Sequence, residues 1–134
     1  MADVTSLRRA VESRAGFIAH RLAVDLDRDL RESARPHRQT GQMEDAIRVT
    51  SNRTSPSTWE VVAEVPVVQA ATTDRGARPH EIRPRRAKAL RFVMDGRVVY
   101  ARVVHHPGNP PARWFGRVMT AGHVHSLLAR FVGR

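Results

Sequence analysis

Seven histidines are the side chains of this 134-residue chain best suited to proton transfer or metal ligation: His20, His37, His80, His105, His106, His123 and His125. A zinc-type site needs several such groups converging on one point. His105 and His106 are adjacent, so in an extended segment they point to opposite sides. His123 and His125 lie two apart on an expected helix and also diverge. His80 could meet one of the 105–106 pair in space, but no carboxylate at ligand spacing completes a set. All seven are therefore expected to be surface or loop residues. No Ser or Thr sits in a nucleophile elbow, and no carboxylate pair lies in an apolar neighbourhood. Asp95-Gly96 and Pro107-Gly108 read as turns rather than phosphate loops. The chain has no Cys, which excludes a thiol nucleophile, a disulfide scaffold, a Cys-ligated zinc and an iron–sulfur site. The expectation is a protein that is not an enzyme and needs no metal or cofactor.

Charge is the stronger chemical signal. Lys and Arg total 23 against 13 Asp and Glu, a formal net charge of +10. Its placement matters more than its size. Residues 1–64 carry 10 basic and 10 acidic side chains, whereas residues 65–134 carry 13 and 3. The densest stretch holds Arg75, Arg78, Arg83, Arg85, Arg86, Lys88 and Arg91. A localised excess of this kind attracts phosphate backbones, anionic lipid or an acidic protein face, and is equally compatible with a solvated surface. Lys88 is the one lysine; so lopsided a choice points to coding bias, and arginine identity carries less weight than sign and location. Trp59 and Tyr100 are candidates for stacking on bases, although core packing is the commoner use of aromatics.

The elements that must position these residues follow from period and punctuation. The length suits one compact domain. Leu7, Val11, Ala15, Ile18, Leu22, Leu26 and Leu30 recur at steps of three and four, predicting one long helix over residues 5–33. Asp3 or Thr5 would cap it, Gly16 would weaken it slightly, and Pro36 would end it. Thr40 would cap a short helical turn reaching Ala46. Period-two alternation through Ile47, Val49 and Ser51, and again through Trp59, Val61 and Ala63, predicts a hairpin whose connection spans 51–57. Val65-Pro66 marks an edge or a break. Residues 74–79 read as a loop, leading to a short extended piece at Ile82. Strands over 89–94 and 97–104 flank Asp95-Gly96, a strong hairpin signal. Residues 105–111 read as a rigid loop, with Asn109 capping a final helix that starts near Ala112. The fold class expected is α+β: an antiparallel sheet built from hairpins, packed with a long N-terminal and a C-terminal helix. The single domain divides as 1–35 (helix), 36–111 (hairpin-rich sheet with loops) and 112–134 (C-terminal helix). No apolar run reaches the ~20 residues of a membrane span, and the first residues lack the apolar core of a signal peptide; a soluble protein made in the cytoplasm is expected.

Several of these segments resemble one family. Arg78-Pro79-His80-Glu81-Ile82-Arg83-Pro84 is followed by Ala87-Lys88-Ala89-Leu90-Arg91-Phe92, the Asp95-Gly96 turn and a second strand. His106-Pro107-Gly108 and Pro110-Pro111 then precede Trp114-Phe115, while Thr40-Gly41, Met43, Ile47 and Val65-Pro66 stand upstream. In order and spacing this resembles the small tail-component and neck protein family of long-tailed double-stranded DNA phages, over about residues 36–121. One departure is at residues 67–77, where the family carries an aromatic-rich stretch ending in Gly-Thr. The resemblance implies a structural virion protein at the head–tail junction. It would form a homo-oligomeric ring that joins the DNA-filled head to the tail or completes the tail top. Its neighbours would be the head-connector (adaptor or stopper) and tail-terminator or tail-tube proteins, with genomic DNA in the channel and no membrane.

On that reading Arg78, Arg83, Arg85, Arg86, Lys88 and Arg91 are the candidates for contact with DNA or an acidic neighbour. His80, His105, His106 and Pro107 are candidates for docking loops, as are residues 71–82 and 105–111 as a whole. Two other readings remain: a free basic nucleic-acid-binding protein, and a metal-dependent nuclease using His80 and His106.

Overall fold

The computed structural model describes residues 3–132. Helix α1 (Val4–Ala34) starts where Asp3, in extended conformation, accepts a 2.6 Å hydrogen bond from the Ser6 amide. That bond to the ionised carboxylate holds the Asp3 carboxyl below its ordinary range. At about 1.5 Å per residue the helix is roughly 46 Å long. Pairs one turn apart brace its exposed side, Arg8 to Glu12 at 3.0 Å and Arg31 to Asp27 at 2.9 Å. The helix stops at Ala34, and Pro36 sits in a single 3-10 turn, Arg35–His37.

The apolar stripe of α1 divides in two. Leu22, Leu26, Leu30 and Ala34 are buried, whereas Val4, Leu7, Val11 and Phe17 are exposed. The core thus gathers round the C-terminal part of the helix. There it joins Ile47, Ala70, Trp114, Val118 and Leu127 from the rest of the chain.

After α2 (Gln42–Asp45), whose first amide reaches the Thr40 hydroxyl, strands β1 (Arg48–Ser55) and β2 (Thr58–Glu64) form an antiparallel hairpin. Its half-buried Val49, Val61 and Ala63 pack on the core. The connection is not the long 51–57 turn that the run of polar residues suggests. Strand pairing continues to Ser55↔Thr58, with an irregularity between Arg53 and Ser55, and only Pro56 and Ser57 turn. Polar residues serve here because this end of the ribbon is solvated; Arg53 ties it to α1 through Glu12 (3.2 Å) and to the Pro56 carbonyl (2.8 Å). Trp59 packs against α1 at Gly16, where a β-carbon would come within 2.9 Å of the indole. The glycine that weakens the helix locally is what lets the hairpin approach it.

Val65-Pro66 is a break. Beyond it α3 (Val68–Arg75) takes the first two residues of the loop expected at 74–79; the rest of that loop lies outside helix and strand, with Ala77 bridged to Asn109. Strands β3 (His80–Ile82), β4 (Leu90–Met94) and β5 (Arg97–Ala101) follow. The second strand of the Asp-Gly hairpin is shorter than 97–104: it bends at Arg102, and the chain re-forms as β6 (Val104–His106) against β3. His105 and His106 are thus strand residues rather than loop residues, because β3 offers their backbone a partner. The sheet content is three separate two-stranded antiparallel ladders, β1–β2, β3–β6 and β4–β5.

The C-terminal helix is two helices, α4 (Trp114–Val118) and α5 (Ala121–Val132). Met119 leaves helical geometry with ψ 43°, and Thr120 restarts the chain by accepting the His123 amide at 3.2 Å. The last two residues of the expected 112–134 helix lie outside the described residues. Asn109 does not cap it, being held in the bridge to Ala77. Asp74 caps α4 instead, its Oδ1 accepting from the Phe115 amide at 2.9 Å and the Gly116 amide at 3.1 Å. Asp74→Ala should therefore lower stability by about 1–2 kcal/mol, read as a drop in the urea midpoint. Asp74→Asn, which keeps an acceptor oxygen, should recover most of it; equal losses in both variants would show that the cap is not the cause.

The α+β architecture holds: a long N-terminal helix, antiparallel hairpins and a C-terminal helix.

Candidate functional site

The basic stretch and the histidine segment meet at the foot of one projection. Ladder β3–β6 sets His80 opposite His106 and Glu81 opposite His105. The His80 and His106 rings stack with centroids 4.9 Å apart. Their hydrogen bonds assign the ring protons. His80 Nδ1 lies 2.7 Å from the Arg78 carbonyl and must donate to it, while His106 Nδ1 accepts the Gly108 amide at 3.0 Å and so carries its proton on Nε2. His105, on the other face of the ladder, lies 3.6 Å from Glu81. The structure therefore brings His80 and His106 together and sends His105 to the opposite side. Among the described residues no group of three or more His, Asp or Glu side chains is arranged to hold a metal ion.

Gly108 closes this foot. Its φ is +77°, and an added β-carbon would overlap the Ala77 carbonyl oxygen and come within 2.8 Å of the Arg78 carbonyl carbon. Residues 106–112, the segment 36–44 and α3 line an open cleft of about 970 Å³. Thr40, Gly41, His106, Pro107, Gly108, Pro110 and Pro111, which carry much of the family resemblance, all line that one cleft. Residues 71–82, expected as one docking loop, are instead the end of α3, the bridge at Ala77 and β3, because each finds backbone partners. Only Pro107 to Pro111 of the second expected loop lies outside strands, apart from the bridge at Asn109.

From this foot the β4–β5 hairpin extends. It turns at Asp95 and Gly96, both with positive φ (52° and 75°), the pattern of a two-residue type I′ turn. Its strands pair with each other, and no other helix or strand packs extensively on them. Arg91 lies across from Tyr100, and Val93 across from Val98, all on one face. That face is open: Val93 is 64% exposed and Tyr100 67%.

The six candidate cations do not form one flat row. Arg78 is exposed just before β3, and Arg83 bonds Glu81 at 3.0 Å. Arg85, Arg86 and Lys88 lie in a bend over 85–89 that is not a strand, so strict alternation of their faces does not apply. Arg91 stands on β4 itself. Two further cations of the projection, Arg97 and Arg102, were absent from the candidates. Counting register outward from Asp95-Gly96 would have found Arg97, since it pairs with Met94 beside the turn. Spacing does not show the link between α5 and α1, where the His123 ring nitrogen Nε2 meets Asp29 at 2.8 Å. Likewise Arg31 bonds the carbonyls of Glu44 and Ile47, at 2.9 and 3.2 Å, and its bond to Asp27 holds its guanidinium above its ordinary pKa.

No described helix is long and apolar enough to cross a membrane. Comparison of the chain with protein-family models, curated proteins and solved structures returns no match.

Proposed function

We infer that this chain is a structural subunit of the neck of a long-tailed double-stranded DNA phage, a ring protein that joins the filled head to the tail or completes the tail top. The motif order over residues 36–121 supplies the setting. The observation that carries the assembly part is apolar surface left open on the N-terminal half of α1, which exposes Leu7, Val11 and Phe17. Apolar groups gathered toward one end of a long helix suit contacts that form only between subunits. A closed ring needs two different, complementary faces on each copy. A neutral first half and a basic second half, with an open cleft between 36–44 and 106–112, provide unlike faces of this kind.

The experiment is to image particles of the encoding phage made without this protein. Filled heads unattached to tails, or tails of abnormal length, are the expected result. Heads joined normally to tails of normal length would refute the neck role. Sedimentation of the purified chain tests the ring directly, as a discrete oligomer that the paired changes Leu7→Gln and Val11→Gln should dissociate.

A further inference from the structure

The cations of the projection are crowded together with almost no carboxylate of the chain to neutralise them. In the first half Arg8, Arg28, Arg31, Arg35, Arg38 and Arg53 each lie within 4.0 Å of a carboxylate of the chain. Residues 83–102 contain seven basic side chains and one acidic one, Asp95. Arg83 alone of the seven has a carboxylate partner, Glu81. Among the described residues Arg85, Arg86, Lys88, Arg91, Arg97 and Arg102 make no ion pair. Like charges crowded on a narrow extension repel one another, and their field favours a polyanion.

Their arrangement favours a grooved polyanion over a flat acidic surface. Side chains alternate along each strand, so Arg91 stands on the face of Val93, Val98 and Tyr100, while Arg97 stands on the opposite face with Met94. Arg85, Arg86 and Lys88 lie before β4 and Arg102 just after β5, flanking the base of the ribbon on both strands. A flat partner meets one face of such a ribbon and strands the charges of the other. A groove walled by phosphates meets both. The major groove of duplex DNA is about 12 Å wide and admits a two-stranded ribbon. Strands of five residues, at roughly 3.4 Å each, make a ribbon about 17 Å long, the length of about five base pairs at 3.4 Å each.

We propose that the β4–β5 hairpin is a duplex-DNA-binding ribbon. Arg85, Arg86, Lys88, Arg91, Arg97 and Arg102 contact phosphates on both walls of the groove, the Arg91 face meeting one wall and Arg97, beside the turn, the other. Phosphate contacts of this kind position a protein without reading sequence. The inference deepens the neck reading by naming a partner of the arm, and rests on that reading only for where the DNA is met.

The test titrates the full chain against a fluorescent duplex of arbitrary sequence at several salt concentrations, with sedimentation of the same samples. Six phosphate contacts give a slope of log K against log salt of about −5. Changing Arg86, Lys88 and Arg91 together to Ala should flatten the slope by about three and weaken binding at ~0.1 M salt by about 100-fold or more. These side chains are exposed, so an unchanged melting temperature checks that the fold survives. Asp95→Asn keeps a residue that tolerates positive φ and removes the one acid of the arm, so it should tighten binding about two- to fivefold. Absence of salt-dependent binding overturns the proposal, as does a triple variant that binds like the parent. A triple variant that loses self-association while binding DNA as before also overturns it, in favour of an acidic protein face. Oligomers without DNA binding would sink this inference and leave the neck reading standing. DNA binding by a chain that forms no oligomer would support the ribbon and replace the neck reading with a free nucleic-acid binder.

Discussion

Trp114→Ala should lower the stability of the protein by about 3–5 kcal/mol, the largest loss expected from any single core truncation here. The indole is 1% exposed and is the largest fully buried side chain. It sits where α1, α3 and α4 converge, and its Nε1 donates to the Ala70 carbonyl at 3.4 Å. Its own carbonyl accepts from Ser33 Oγ at 2.6 Å, binding α4 to the end of α1. Truncation leaves a cavity among Leu26, Leu30 and Leu127 and orphans the Ala70 carbonyl, and the two effects add. For a domain whose total stability is of order 5–15 kcal/mol, the melting temperature should fall by roughly 10–20 °C. Trp114→Phe, which keeps most of the volume and loses only the hydrogen bond, should cost about 1–2 kcal/mol. A loss below about 1 kcal/mol for the alanine variant would mean that the core does not close round this side chain.

Gly108→Ala should disrupt the foot of the arm while leaving the helical core folded. An L-residue at φ +77° costs about 1–2 kcal/mol by itself. The methyl adds a conflict with backbone rather than with a flexible side chain: the Ala77 carbonyl oxygen, the Arg78 carbonyl carbon at 2.8 Å and the Pro79 nitrogen at 2.9 Å. The chain can relieve it only by separating the two segments. That breaks the paired bonds between Ala77 and Asn109, both 2.9 Å, and the His106 contact to the Gly108 amide. Hydrogen exchange should accelerate at Ala77, Asn109 and the β3–β6 amides, with α1 still protected, since regions open as separate units. Because the arm rises from this foot, DNA affinity should fall in the same variant although no cation is touched. Unchanged exchange at Ala77 and Asn109 would show that the close approach is not a constraint.

Residue types and spacing alone were enough for α1, for the Asp95-Gly96 hairpin and for the confinement of excess charge to residues 65–134. In each case the signal is local: one apolar stripe at helical period, one turn dipeptide between β-rich runs, one count of charges. The α+β class follows from the same signals. Tertiary structure decided the rest, because backbone groups far apart in the chain had to find each other. His105 and His106 become strand residues only because His80–Ile82 lies beside them. The 74–79 loop is shortened because α3 runs on to Arg75, and it is pinned where Ala77 pairs with Asn109. The stripe of α1 reads as continuous in sequence, yet Leu7 and Val11 at its start are bare, since the fully buried core covers only the part from Ala19 onward. The basic run shows the same division most plainly. Its charge was countable from the sequence, but an arm with Arg91 on its open face and Arg97 beside its turn exists only once the Asp-Gly turn folds the chain back. Composition fixes how much charge there is; the register of β4 against β5 fixes which face each of its cations takes.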